Sequence, residues 1–313
     1  MRRLALLLVL PACSYFPSHE EVFIPVPLAI GERRVVDGDT SWVLAADAYE
    51  IVAPRQGLLP DARRALDESA EQFRAIFSAA PPRVTVALHE PDRDPGDEAG
   101  TALPAGEAGE DVVAVRVPPV ERMRRGVVAR PRPLPLAPVA RAWLAAYADA
   151  RSATPRLRTA WAAGTVPADD ARLPDWLEDG IVQIVAGSPL RDVALARLAE
   201  QRSRALPLRQ LLTMARPVGA LDPVVGRDDD RRAAIAGELE GSFLFAVQSY
   251  GVARFLAERE GRSFLGAMVD RVLAGDAALA ALGGARHLPG DLDALQGEWD
   301  RWLEEEHENG PRR

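Results

Sequence analysis

The stretch Leu173–Gly187, LPDWLEDGIVQIVAG, decides how the chain is read. Pro174 and Asp175 suit a helix start, because proline's fixed φ fits the first turn and its missing N–H is no loss there. Trp176, Leu177, Ile181, Ile184 and Val185 follow at the spacing of an apolar helical face, so the spacing predicts a helix packed on a core. Gly180 leaves room for a neighbouring helix to approach closely. Only Glu178 and Asp179 remain outside this account, and carboxylates in a first helical turn are also favoured by the helix dipole.

Working outward toward the N-terminus, LPDARRALDESAEQFRAIF places Ala62, Leu66, Ser69, Phe73, Ile76 and Phe77 on one face and predicts an amphipathic helix. Before it, VVDGDTSWVLAADAYEIVAP carries β-branched and aromatic residues around an Asp-Gly turn signal and predicts strands. After it, RVTVALHE alternates Val84, Val86 and Leu88 on one side, and DVVAVRVP is a further strand. The remainder reads as proline-jointed helices: LAPVARAWLAAYADA, the opening stretch, RDVALARLAEQR, PLRQLLTMA, AGELEGSFLFAVQSYGVARFLAERE, SFLGAMVDRVLAG and LDALQGEWDRWLEEE. In the last, Leu292, Leu295, Trp299 and Trp302 make one stripe. Strands first and helices after imply an α+β domain.

Composition narrows the function classes. The 313 residues carry 48% hydrophobic and 27% charged residues, as ordinary globular chains do. A formal net charge of −8 argues against a nucleic-acid binder, which needs a basic stripe to neutralise phosphates. All basic side chains are arginine, so no phosphate loop completed by lysine exists. Gly187-Ser188 lacks the Gly-x-Ser-x-Gly setting of a nucleophile elbow.

The order of these segments resembles the peptidase-MA-like, gluzincin-type zinc metallopeptidases over about Ser41 to Glu306. The resemblance is carried by L-P-x-W-L-x-[E/D]-G at Leu173–Gly180, by LPLRQLLTM, by the Q-S helix AVQSYGVARFLAERE with its Gly-Phe-Leu turn, and by the closing helix DLDALQGEWDRWLEE. It implies a zincin-like fold in which one helix bears H-E-x-x-H, two histidines on one face holding zinc and a glutamate activating water. A carboxylate from the next helix is the third protein ligand. By order along the chain LAPVARAWLAAYADA stands in the place of the first helix, and it holds no histidine, glutamate or cysteine. Whether Pro138 and Ala142 or Val139 and Trp143 occupy the ligand positions, neither pair binds zinc. Asp179 matches the third ligand as a shorter carboxylate. Glu178 lies about 100° around the helix and is expected to face elsewhere.

The chain has four histidines, His19, His89, His287 and His307. Only His89-Glu90 imitates the start of the motif, but it closes a strand and Pro91 follows it. No metal, cofactor or catalytic residue is therefore expected, and Asp179 is read as a remnant. A cleft lined by Trp143, Tyr147 and Trp176, with Glu178, would suit a peptide, and the same aromatics equally suit a buried core.

The N-terminus MRRLALLLVLPAC combines two arginines, a short apolar run and a small residue before Cys13, which is secretory-signal logic. The run is too short to span about 30 Å of hydrocarbon. Leu10-Pro11-Ala12-Cys13 resembles a bacterial lipobox, which implies lipidation at Cys13 and a membrane-anchored, periplasm-facing envelope protein; Ser14 favours the outer membrane. The expected organisation is a signal peptide at 1–12, a Pro-rich tether at 13–40, the peptidase-like domain at 41–308 and a tail at 309–313. The expected function is a non-catalytic pseudopeptidase with a peptide or envelope protein as partner. An active metal-dependent hydrolase with a rebuilt site and a purely structural envelope lipoprotein are the alternatives.

Overall fold

The computed structural model describes residues 31–36, 39–89, 112–116, 134–151, 173–187, 190–217 and 241–309. The first five strands form one mixed sheet in chain order: β1 (Glu32–Val36), β2 (Asp39–Ala45), β3 (Tyr49–Ala53), β4 (Val84–His89) and β5 (Val112–Arg116). The pairs β1–β2 and β2–β3 are antiparallel, while β3–β4 and β4–β5 are parallel. A parallel step needs a long crossover, and α1 (Leu59–Phe77) supplies the one between β3 and β4. Its predicted face is the buried one: Ala62, Leu66, Ser69, Phe73, Ile76 and Phe77 all lie inside. On the sheet, Leu44, Ile51, Val86 and Val113 stand in one row across β2 to β5 and are all buried. Side chains alternate across a strand, so this row defines the core face of the sheet.

The helical half follows with α2 (Ala137–Arg151), α3 (Asp175–Ala186), α4 (Leu190–Glu200), the single turn α5 (Leu208–Leu211), α6 (Gly241–Glu260), α7 (Arg262–Leu273), α8 (Ala278–Leu282) and α9 (Leu292–Asn309). The protein is thus α+β, as the segment order predicts. Two differences are informative. Strand β1 lies inside the stretch expected as a tether, because Glu32–Val36 pair along β2; the fold begins before Ser41. PLRQLLTMA forms one helical turn rather than a full helix. There the Thr213 hydroxyl donates back to the Arg209 carbonyl at 2.7 Å, the back-bonding by which threonine competes with a helix.

Helix α3 sits at the centre. It packs on α2, α6 and α1, and Trp176–Gln183 are buried without a break. The amphipathic pattern anticipated one buried face; the helix is enclosed nearly all round. Gly180 makes this closeness feasible, since a Cβ there would lie 2.7 Å from the Ser249 carbonyl oxygen of α6. Gly187 ends α3 with φ +70°, the left-handed cap that glycine adopts without penalty. Trp143, Trp176 and Trp299 are among the largest fully buried side chains; truncating one to alanine costs about 3–5 kcal/mol. Among the described residues no helix is long and apolar enough to cross a membrane.

Candidate functional site

Burying α3 on every side forces its polar residues to find partners inside, because an unpaired buried charge is expensive. Glu178 and Asp179 are only 6% and 5% exposed. From α2, Arg141 brings Nη1 to 3.4 Å from Glu178 Oε1 and Nη2 to 3.3 Å from Asp179 Oδ1. From the stretch after α5, Arg216 donates Nε to Asp179 Oδ2 at 3.0 Å and Nη2 to Asp179 Oδ1 at 2.7 Å. The same Nη2 reaches Glu178 Oε1 at 3.4 Å, and the Arg216 backbone N–H donates to Asp175 Oδ2 at 2.6 Å. Two guanidiniums therefore bridge Glu178 and Asp179, while the Arg216 backbone holds Asp175 one turn earlier. The fork of Arg216 across both oxygens of Asp179 is the bidentate geometry that arginine makes and lysine cannot.

The electrostatics follow from burial. Loss of solvation pushes the Asp179 carboxyl up to about 6, and the attraction of Arg216 and Arg141 offsets only part of that rise. Burial works against the charge of Arg216, yet Asp179 and Glu178 more than compensate and hold its guanidinium protonated. Glu178 does not face away from this centre, contrary to the rotation argument. The reach of a glutamate and the width of the Arg141 fork close the 100° between neighbouring positions.

The other expected residues lie elsewhere. Trp143, Tyr147 and Trp176 are core side chains, 0%, 4% and 1% exposed. Trp143 and Tyr147 pack edge-on against Phe73, with centroids 6.1 and 5.9 Å away, and Tyr147 donates its hydroxyl to Asp270 at 3.0 Å. No cleft lined by these aromatics exists among the described residues. A cavity of about 10 Å3, lined by Gln183, Arg191, Ala194, Ala246, Val247 and Tyr250, has room for about one water. Small-ligand sites usually exceed about 300 Å3.

Histidine does not gather here either. His89 ends β4, half-buried, and burial lowers its imidazole below the ordinary value. The backbone N–H of His287 donates to Glu260, and His307 is exposed near the end of α9. Among the described residues no group of three or more histidine, cysteine or acidic side chains could hold a metal. Cys13 and His19 lie outside the described residues.

Sequence reasoning missed Arg141 and Arg216. One signal was present: Arg141 interrupts the apolar run APVARAWLAAYADA inside a helix, in register with Pro138 and Ala142. Arg216 had none, being one arginine among many in a proline-flanked segment. No family model, curated protein or solved structure matches this chain.

Proposed function

We propose that the protein is a non-catalytic pseudopeptidase with a zincin-like, peptidase-MA-like fold, anchored to the cell envelope through Cys13. In this reading the metal centre has been exchanged for an internal ion-pair cluster, and the protein serves binding of a peptide or envelope protein. The single observation that supports it is the pairing of Asp179, which matches the family's third ligand, with Arg216 and Arg141. Guanidinium N–H groups take three of the roughly four lone-pair directions of this carboxylate, and a dication would meet two positive charges beside it.

The resemblance also agrees with the placement of α2. Pro138, Arg141 and Ala142 share one helical face through their spacing of three and four residues. Pro138 and Ala142 are one of the two pairs that could stand at the family's histidine positions, and Arg141 on that face is turned to Asp179. A positive side chain standing beside the position of a lost cation is an economical way to keep the buried carboxylates neutralised.

Metal content tests this directly. The full chain, purified in detergent without chelators, incubated with zinc and desalted, is expected to retain less than about a tenth of an equivalent. Close to one equivalent of zinc, released by Asp179→Ala, would sink the reading and restore the hydrolase alternative.

A second reading, a structural envelope protein without a ligand, draws on a different observation. The aromatics Trp143, Tyr147 and Trp176 fill the core beside α3 instead of lining an opening. It predicts a zinc-free protein that also binds no peptide.

A further inference from the structure

The two arginines reach α3 from unlike supports. Arg141 projects from the second turn of α2, where Val139, Ala140, Trp143 and Leu144 are buried; a packed helix delivers its guanidinium and cannot withdraw it without disrupting the core. Arg216 comes from the irregular stretch 213–217, in which Thr213 and Ala215 are exposed and Met214 and Pro217 half-buried. As far as Met214 this stretch is fastened locally, the Met214 N–H donating to the Gln210 carbonyl at 2.9 Å. Beyond it, among the described residues, the polar contacts of 215–217 run through Arg216 alone: its N–H to Asp175 and its side chain to Glu178 and Asp179. A segment with little buried apolar surface, held among the described residues by one polar anchor, opens at a lower free energy than the core beneath it.

We infer that residues 213–217 form an autoinhibitory strap, latched by Arg216 over Glu178 and Asp179, and that its release exposes a site for a guanidinium group, such as an arginine side chain of a peptide. The inference names the ligand chemistry of the peptide-binding reading above and rests on that reading. The geometry selects the ligand. With Arg216 withdrawn, Glu178 and Asp179 keep only Arg141 as an ionic partner among the described residues and Asp175 lies one turn away, so these groups carry excess negative charge. Asp179 presents two oxygens in the plane that Arg216 Nε and Nη2 now use, at 3.0 and 2.7 Å, a match for a planar fork and a poor one for an ammonium. A divalent cation is disfavoured, because the Arg141 guanidinium stays 3.3 Å from Asp179.

The strap acts as a competing ligand at high local concentration, and the fraction of molecules with it open scales the apparent affinity. The test uses the full chain in detergent, as wild type and Arg216→Ala, and an N-acetylated, C-amidated alanine–arginine–alanine peptide as probe. The alanine variant should bind this peptide about tenfold or more tightly than wild type, and should not bind the same peptide with norleucine replacing arginine. In wild type, saturating peptide should speed hydrogen exchange at 213–217 and leave α3 protected. Equal binding by the two proteins, equal binding of the norleucine peptide, or no binding by a natively folded variant overturns the inference.

Should Arg216→Ala fail to fold, Arg216→Lys keeps the charge and removes the fork. It is expected to speed exchange at 213–217 with α3 unchanged; exchange at the wild-type rate there would show that Arg216 is not the latch. Zinc loading would overturn the pseudopeptidase reading, whereas a zinc-free protein that ignores the arginine peptide overturns the strap alone.

Discussion

The cluster around Arg141 and Arg216 has a counterpart on α6, where Arg254 lies 2.7 Å from Glu258, 3.2 Å from Glu306 and 3.5 Å from Asp192. Both clusters join separate helices through arginine and carboxylates, but they differ in burial. In the inner one the side chains of Glu178 and Asp179 are 8% and 7% exposed; in the outer one Asp192 is 67% and Glu258 42% exposed. The outer groups have alternatives. Glu258 also accepts from Trp302 Nε1 at 2.8 Å, Asp192 accepts from the Tyr250 hydroxyl at 2.9 Å, and water can replace any of them. Among the described residues, Glu178 and Asp179 have as ionic partners only Arg141 and Arg216. Similar chemistry is therefore a negotiable contact at the surface and, for Arg141 on its packed helix, an obligatory one inside.

The largest expected effect tests the obligation. Replacing Arg141 by leucine keeps the bulk of the side chain and strands Glu178 and Asp179 with Arg216 alone. The loss should be about 3–5 kcal/mol in urea denaturation at pH 7, the cost of breaking a buried pair from one side. A loss below about 1 kcal/mol would mean that water reaches the carboxylates and the contrast with the outer cluster is false.

The next effect is a pH dependence with a definite sign. Asp179 titrates near 6 in the folded protein and at its ordinary value of 3.8 when unfolded. Below 3.8 both states hold the proton; between 3.8 and 6 only the folded state does. Stability from this group is therefore fully present on the acid side and falls as pH rises through about 6. Subtracting the profile of Asp179→Asn from wild type isolates it among the other carboxylates. The difference should shift by about 2 kcal/mol against wild type between pH 4 and 7, and a flat difference would show that Asp179 is not desolvated.

The smallest effect belongs to the outer cluster. Arg254→Ala should cost about 1 kcal/mol or less, part of it from stem packing against Trp302, whose ring centroid lies 5.7 Å from the guanidinium carbon. Raising sodium chloride to about 1 M, where the screening length is roughly 3 Å, should erase the electrostatic part of the difference. The cost of Arg141→Leu should change little under the same salt. Equal salt sensitivity at the two places would collapse the distinction between them.

Much of the scaffold was readable from periodicity because burial there depends on apolar atoms repeated at fixed spacing. The faces of α1 and β4 are buried as their spacing predicts, and so are Leu295, Trp299 and Trp302 of the α9 stripe, while Leu292 at its start is half-buried. The site was less readable because ion pairing depends on which elements meet, and the contacts of Arg141 and Arg216 with Asp179 reach across 38 and 37 positions of chain. The aromatics show the same limit. Nothing local distinguishes a Trp143 that lines an opening from one that fills a core, since both need the same apolar surface.

The amino-acid order alone fixed the strand-then-helix plan, the helical faces, the close approach at Gly180 and the lack of histidine on α2. Each of these depends on steric or periodic rules that act within a few residues. Only the tertiary structure decided that α3 is enclosed, that Glu178 joins Asp179 rather than pointing away, and that two arginines from different elements close over them. Charges interact through space and answer to burial, and neither distance nor burial exists until the helices have packed.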